Sequence, residues 1–143
     1  MKQFKGIISL ISVLLIMATE SFAQLKPSPG DNIVGVYWSP KKDAKISIYK
    51  SGERYFGKSV WVASPRKDTE NPEKALRTRD LLGIELLTNF KYRNGTYIEG
   101  EVYDPENGKT YECKMALDGD KLKIRGFIGF ALFGRTETFQ RSK

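Results

Sequence analysis

Residues 109–124, KTYECKMALDGDKLKI, decide the architecture of this chain. Tyr111, Cys113, Met115 and Leu117 occupy alternate positions, with Glu112 and Lys114 between them. After Asp118-Gly119 the pattern resumes, Leu122 and Ile124 alternating with Lys121 and Lys123. A period of two sends successive side chains to opposite faces of a strand, and an Asp-Gly pair between two such runs reads as a tight hairpin. One face of each strand is therefore core and the other is wet.

Toward the C-terminus the second of these strands extends to 128, and a last one spans 131–141. The connection between them is RGFIGFALFGR (125–135), nine uncharged residues with Gly126, Gly129 and Gly134, set between two arginines. It reads as a sharply bent hairpin in a barrel wall, where missing side chains permit a bulge or close approach. Phe127, Phe130 and Phe133 are then divided between interior and rim. Lys121, Lys123 and Glu137 alongside argue against a membrane-inserting tooth.

Toward the N-terminus, 33–39 (IVGVYWS), 44–50 (AKISIYK) and 54–62 (RYFGKSVWV) are short, rich in β-branched and aromatic residues, and separated by Ser39-Pro40 and Ser51-Gly52 turn signals. Residues 63–80 form a long polar connection in which Asn71-Pro72-Glu73 predicts a short helix through about Arg77. The run 81–88 (LLGIELLT) fits either helix or strand; Gly83 and the neighbouring strands favour strand. Asn94-Gly95 then turns into 96–104, and Pro105 to Gly108 into 109–117. The count is eight antiparallel strands joined mostly by hairpins, with no helical crossover and no internal repeat. An all-β fold follows, either two packed sheets or a single small up-and-down β-barrel. Closure is preferred because it removes edge strands.

The first residues have the form of a secretory signal peptide: Lys2 and Lys5, an apolar run from Ile7 to Met17, and Ser21-Phe22-Ala23 as a cleavage site after residue 23. The uncharged stretch 6–19 is shorter than the roughly 20 residues a spanning helix needs, and no later segment could cross a bilayer as a helix. The expected organisation is a signal peptide at 1–23, a flexible leader at 24–32 bearing Pro27, Pro29 and Gly30, and a barrel domain at 33–143. Export to the periplasm or beyond follows from it. The mature chain would have 120 residues with 22 basic and 16 acidic side chains. That size buries over about 60% of the unfolded surface without staples. The positive charges are interleaved with acids and form no lysine run with stacking aromatics, so nucleic acid is not an expected partner.

Several motifs resemble one family of small secreted bacterial proteins, domain of unknown function 2147. They are IVGVYW (33–38), NPEKALRTRDLLGIELL (71–87), YDPENGKTYECKM (103–115), GDKLKIRGFIG (119–129) and GRTETF (134–139). The resemblance spans nearly the whole mature chain and implies no assigned activity. The chain is also similar to lipocalin-like barrels, which open on a Gly-x-Trp strand and close with an arginine near the last strand packed on that tryptophan. Here Gly35 is followed two positions on by Tyr37, with Trp38 on the opposite face of the strand. The resemblance implies that Gly35, Tyr37 and Trp38 pack at the barrel base, with Arg135 or Arg141 stacking on Tyr37 or Trp38.

The chain has no histidine and one cysteine. Ser-His-Asp and Cys-His catalysis, His-ligated zinc or haem, an internal disulfide and a CxxC redox pair are all excluded within it. Cys113 sits in the apolar alternation as an inert core thiol. Asp118-Gly-Asp120 reads as a turn rather than a calcium loop, so neither cofactor nor metal is expected. Glu99 and Glu101, about 7 Å apart along one strand face, have the carboxylate spacing of an inverting glycosidase. Alternate solvent-facing acids explain the same pattern. Arg77 and Arg79 beside the long connection, Arg125 and Arg135 flanking the glycine hairpin, and Tyr103 and Tyr111 on the neighbouring strands are the candidate ligand-binding residues. Converging at one mouth, the arginines would grip a carboxylate or phosphate head group while the interior takes an apolar tail; spread around the rim, each would instead be paired with Asp80, Glu137 or water. The expected partner is a small lipophilic or anionic ligand in the cell envelope. The competing readings are a ligand-free barrel acting through the surface of 63–80 and, third, a glycan hydrolase. Ligand binding inside requires that Ile46, Ile48, Ile98, Val102, Met115 and Ile124 leave room about the axis.

Overall fold

The computed structural model describes residues 26–127 and 134–143. The expected signal peptide at 1–23, and the placement of Phe130 and Phe133 in the glycine hairpin, lie outside the described residues.

Eight strands form: β1 (Gly35–Trp38), β2 (Ala44–Ser51), β3 (Arg54–Val62), β4 (Glu85–Arg93), β5 (Thr96–Asp104), β6 (Lys109–Asp118), β7 (Lys121–Phe127) and β8 (Arg135–Arg141). Each pairs antiparallel with the next, and β8 returns to β1 to close a barrel in up-and-down order. The hairpins sit where the turn residues put them. Asn94 and Gly95 both take positive φ (49° and 84°), as a two-residue turn matched to strand twist requires. Register then follows the two-residue pattern: Met115 faces Ile124 and Leu117 faces Leu122, so both apolar sets of the deciding hairpin enter one interior. Tyr37, Ile46, Ile48, Tyr55, Leu87, Phe90, Tyr97, Cys113, Met115, Leu122 and Ile124 are all buried there. Each large apolar side chain so buried contributes about 1.5–3 kcal/mol relative to exposure.

The strand expected at 81–88 begins four residues later. Residues 81–84 make a turn in which Gly83 adopts φ +90°, and β4 then extends to Arg93. Leu81 is spent on the long connection instead: its N–H donates to the Arg66 carbonyl, while Asp68 N–H donates to Arg79. These bonds, with the Lys67–Asp80 bridge, make residues 63–84 a strap that doubles back on itself. The helix expected at 71–77 shrinks to a single 3-10 turn at Lys74–Leu76, because Asn71 uses its side-chain oxygen on the Glu73 N–H and its chain carbonyl on Arg77.

The leader is also not loose where the structure describes it. From Ser28 it enters a 3-10 turn at Pro29–Ile33, capped reciprocally by Ser28 and Asp31, with Gly30 and Ile33 buried. Ile98 is a fourth correction. It pairs with Lys91 between inward-facing Tyr97 and Gly100, because Glu99 (φ +61°) forms a bulge that resets the alternation.

Candidate functional site

Strand direction gives the barrel two unlike ends. The base carries the Pro29–Ile33 turn and the β2–β3, β4–β5 and β6–β7 hairpins; the rim end carries the β1–β2 loop, the strap, the β5–β6 turn and the β7–β8 connection.

The base is sealed by hydroxyls. Tyr37 donates to the Ile33 carbonyl at 2.8 Å, Tyr97 to the Gly30 carbonyl at 2.5 Å, and Tyr55 to Asp31 at 2.6 Å. Lys50 joins Asp31 at 2.8 Å. Bonds from Lys50, Tyr55 and the Ser28 N–H lower the Asp31 carboxyl to about 2. Gly30 must be glycine here, since a Cβ would fall 2.7 Å from both the Tyr55 hydroxyl and the Tyr92 ring. Arg141 closes the seam from the last strand. Its guanidinium lies 4.8 Å from the Tyr37 ring centre and donates to the carbonyls of Asn32 (2.6 Å) and Val34 (3.1 Å). A Cβ on Gly35 would collide with that guanidinium. Of the three residues expected at the base, Gly35 and Tyr37 meet Arg141 there. Trp38 does not: it lies on the outer face, edge-on to Trp61 with ring centres 5.5 Å apart.

All six candidate ligand residues belong to the rim end, but they split into three groups. Arg77, Arg79 and Tyr103 are occupied by the strap. Asp68, fully buried, accepts from Tyr103 at 2.5 Å, from Asn71 at 2.8 Å and from Arg79 Nε at 2.9 Å. Burial disfavours its charge, yet these bonds outweigh burial and hold the carboxyl below its ordinary range. Arg77 is spent on the Asn71 carbonyl at 2.7 Å. The second group faces outward. Arg125 pairs in register with Thr136, donates to its hydroxyl at 3.1 Å, and lies over the Phe127 ring. The third has the parity of the inner face: Tyr111 opposite Val102, its hydroxyl accepting from Asn107 at 2.8 Å, and Arg135 opposite Gly126, its side chain 78% exposed at the rim. Arg125 and Arg135 therefore stand on opposite faces of one sheet and do not form a common grip.

Glu137 is not among the six candidates. It shares the inward face of β8 with Arg135, to which it is ion-paired, and with Phe139. The alternation Arg135-x-Glu137-x-Phe139 carries that signal. Asp68 had none, because a buried loop carboxylate follows no period.

Glu99 and Glu101 line a shallow groove outside the barrel with Glu112, Lys114 and Phe127. An Arg54 hydrogen bond of 3.1 Å keeps the Glu99 carboxyl below its usual range, the opposite of what a general acid needs. Cys113 is buried, and burial pushes its thiol up to about 12. It is protonated and inert at neutral pH.

Residues 35–141 match the family described as "Uncharacterized protein conserved in bacteria (DUF2147)". The chain belongs to this family. Among curated proteins none matches. Among solved structures, the DUF2147 barrel is similar to HP1028 from the human pathogen Helicobacter pylori, a protein described as belonging to the lipocalin family. The two share 20% identity with a TM-score of 0.70, over 78% of this chain and 83% of that one. The fold of this DUF2147 member is thus lipocalin-like, and of the pairings expected of Arg135 or Arg141 with Tyr37 or Trp38 the one present is Arg141 over Tyr37.

Proposed function

We propose that the protein is exported and serves in the cell envelope as a barrel that takes one small apolar or amphipathic ligand at its rim end. The observation that carries this reading is the difference between the two halves of the interior. Toward the base, Ile33, Tyr37, Tyr55, Phe90 and Tyr97 are large and closed off from solvent. Toward the rim, the inward positions Ala44, Val102, Tyr111 and Gly126 are small or only half-buried. An apolar tail would lie against Val102 and Gly126, with its polar head at Tyr111, Arg135 and Glu137. The grip is narrower than the six residues expected from sequence, since Arg77, Arg79 and Tyr103 serve the strap and Arg125 faces out.

A second reading, a ligand-free barrel acting through its surface, draws support from the packed mid-section, where Ile46, Ile48, Met115 and Ile124 belong to one buried cluster. Native mass spectrometry of the protein extracted from its own host's envelope separates the two. A co-purified lipid-sized adduct is expected, and a bare mass overturns the ligand reading. A Cβ at Gly126 would meet Val102 at 3.7 Å and Tyr111 at 3.9 Å, ordinary contact distances, and a longer side chain would project from it into the slot. Gly126→Leu is expected to remove the adduct and leave the thermal midpoint unchanged.

A further inference from the structure

Among the described residues the exposed large apolar side chains are Val34, Val60, Trp61 and Leu82, and three of these stand together. Val60, Trp61 and Leu82 are 38%, 41% and 51% exposed. With Val62, Pro65, Arg66 and Asp80 they line an outer groove of about 240 Å³ at the rim end. The backbone explains the exposure. Ile46 pairs with Ser59 but Lys45 with Trp61, so Val60 is an extra residue that bulges β3 and turns two neighbouring apolar side chains toward solvent. Trp38 extends the patch, edge-on to Trp61, with the Lys45 ammonium 4.1 Å from its ring centre. Both tryptophans of the chain are in this patch.

Its charge is one-sided. Arg66 and Asp80, the groove's own ions, are neutralised by Glu106 at 2.8 Å and Lys67 at 2.5 Å. Asp43 in the adjoining loop accepts from the Ser39 hydroxyl at 2.7 Å and stays an anion, outnumbered by the lysines around it. Lys41, Lys42 and Lys45 have no carboxylate within ion-pair distance among the described residues, and Lys41 and Lys42 are exposed.

We propose that this face docks on an anionic lipid surface, with Val60, Trp61 and Leu82 entering the boundary between headgroups and acyl chains and Lys41, Lys42 and Lys45 set over the anionic headgroups. Apolar side chains beside tryptophan and unpaired lysine are the composition that such a boundary retains, since the rings take the wet interface and the cations the negative surface. Two other partners fit less well. Bases stack on successive parallel ring faces, whereas Trp38 and Trp61 meet at 78°. A glycan needs free polar groups beside the ring, and those of the groove are already paired. The docking stands whether or not the interior holds a ligand.

The test uses the full chain with vesicles of phosphatidylcholine and phosphatidylglycerol in equal parts, read by tryptophan emission and its quenching by brominated acyl chains. Because both tryptophans lie in the patch, the signal reports this face alone. A blue shift and quenching are expected on the mixed vesicles, weakened by salt and absent on phosphatidylcholine. Leu82→Ser with Val60→Thr, and separately Lys41→Glu with Lys45→Glu, should each weaken binding by about tenfold or more. All four positions are on the surface, and unchanged circular dichroism and thermal midpoints confirm that the variants fold. The apolar run at 7–17 is common to every variant, so equal affinity across them would assign binding to that run and overturn the proposal. Failure of tryptophan quenching overturns it as well. So does an emission change with a single-stranded oligonucleotide or a polysaccharide but none with vesicles.

Discussion

The ring of Phe90 occupies the place that a Cβ on Gly100 would take. Phe90 is itself fully buried and cannot retreat, so Gly100→Ala should cost about 1–3 kcal/mol by overpacking. Gly126→Ala, with its nearest neighbour 3.7 Å away, should change stability by less than about 0.5 kcal/mol. Urea midpoints of the two variants, measured side by side, decide whether both inward glycines are equally constrained. Alternation alone could not settle this stretch, because a strict count back from Val102 brings Gly100 inside but carries Ile98 in with it and puts Tyr97 out; only the bulge at Glu99 lets both Tyr97 and Gly100 face the core. Asp68 supplies a pH prediction of the same local kind. Its folded-state pKa is lower than its unfolded one, so its contribution is complete above about pH 4 and is lost as pH falls through the folded value. The stability difference between wild type and Asp68→Asn should therefore be constant from neutral pH down to about 4 and shrink below it. A difference that grew on acidification would show that Asp68 is not held as the carboxylate.

At the scale of strands, the seam between β1 and β8 is the short one, with only Tyr37↔Arg141 and Trp38↔Gln140 in register. Arg141 supplements it by reaching past the strand to the Asn32 and Val34 carbonyls. Lysine keeps the charge but loses the planar fork that serves both acceptors at once. Arg141→Lys should accordingly cost about 1–3 kcal/mol and raise amide exchange first in β1 and the Pro29–Ile33 turn. Uniform exchange around the barrel would show that the seam is no weaker than the other ladders. Most of the strands were legible because hairpin residues and two-residue alternation agreed, as in β6 and β7. Boundaries failed where tertiary contacts overrode the local pattern. Leu81, apolar and next to a strand, was drawn into the strap by the Arg66 carbonyl, and the Pro29–Ile33 turn is held in part by Tyr55 and Tyr97, two distant residues that no local window contains. The face of each arginine was readable in principle, since Arg125 and Arg135 differ in parity across their shared register. Convergence and a spread around the rim both fit the sequence, and the register sets Arg125 and Arg135 on opposite faces.

At the scale of the molecule, the eight strands close the barrel through their own ladders, and residues 63–84 join it at their ends, where Ser59 exchanges backbone bonds with Gly83 and Ile84. The strap is tied down chiefly through buried Asp68, to which Tyr103 of β5 donates, and by the packing of the Glu70 carbonyl against Gly108 in the β5–β6 turn. The Arg66–Glu106 pair is exposed on both sides and adds little. Removing Asp68 leaves Arg79 and the Tyr103 hydroxyl without their acceptor at a covered site, a loss of about 3 kcal/mol or more. That loss falls on local opening of the strap rather than on the strands. The strap contains Arg66, Lys67, Lys74, Arg77 and Arg79, five sites for trypsin. When opening is fast relative to cleavage, the cleavage rate follows the open population, so Asp68→Ala should raise cutting within 63–84 by about 100-fold at neutral pH. The same variant should keep the wild-type far-ultraviolet spectrum and the slow amide exchange of Ile46, Met115 and Ile124, whose burial owes nothing to the strap. If exchange in those strands accelerated in step with strap cleavage, the two would be one cooperative unit, and the ion pair under the strap would be holding the barrel itself together.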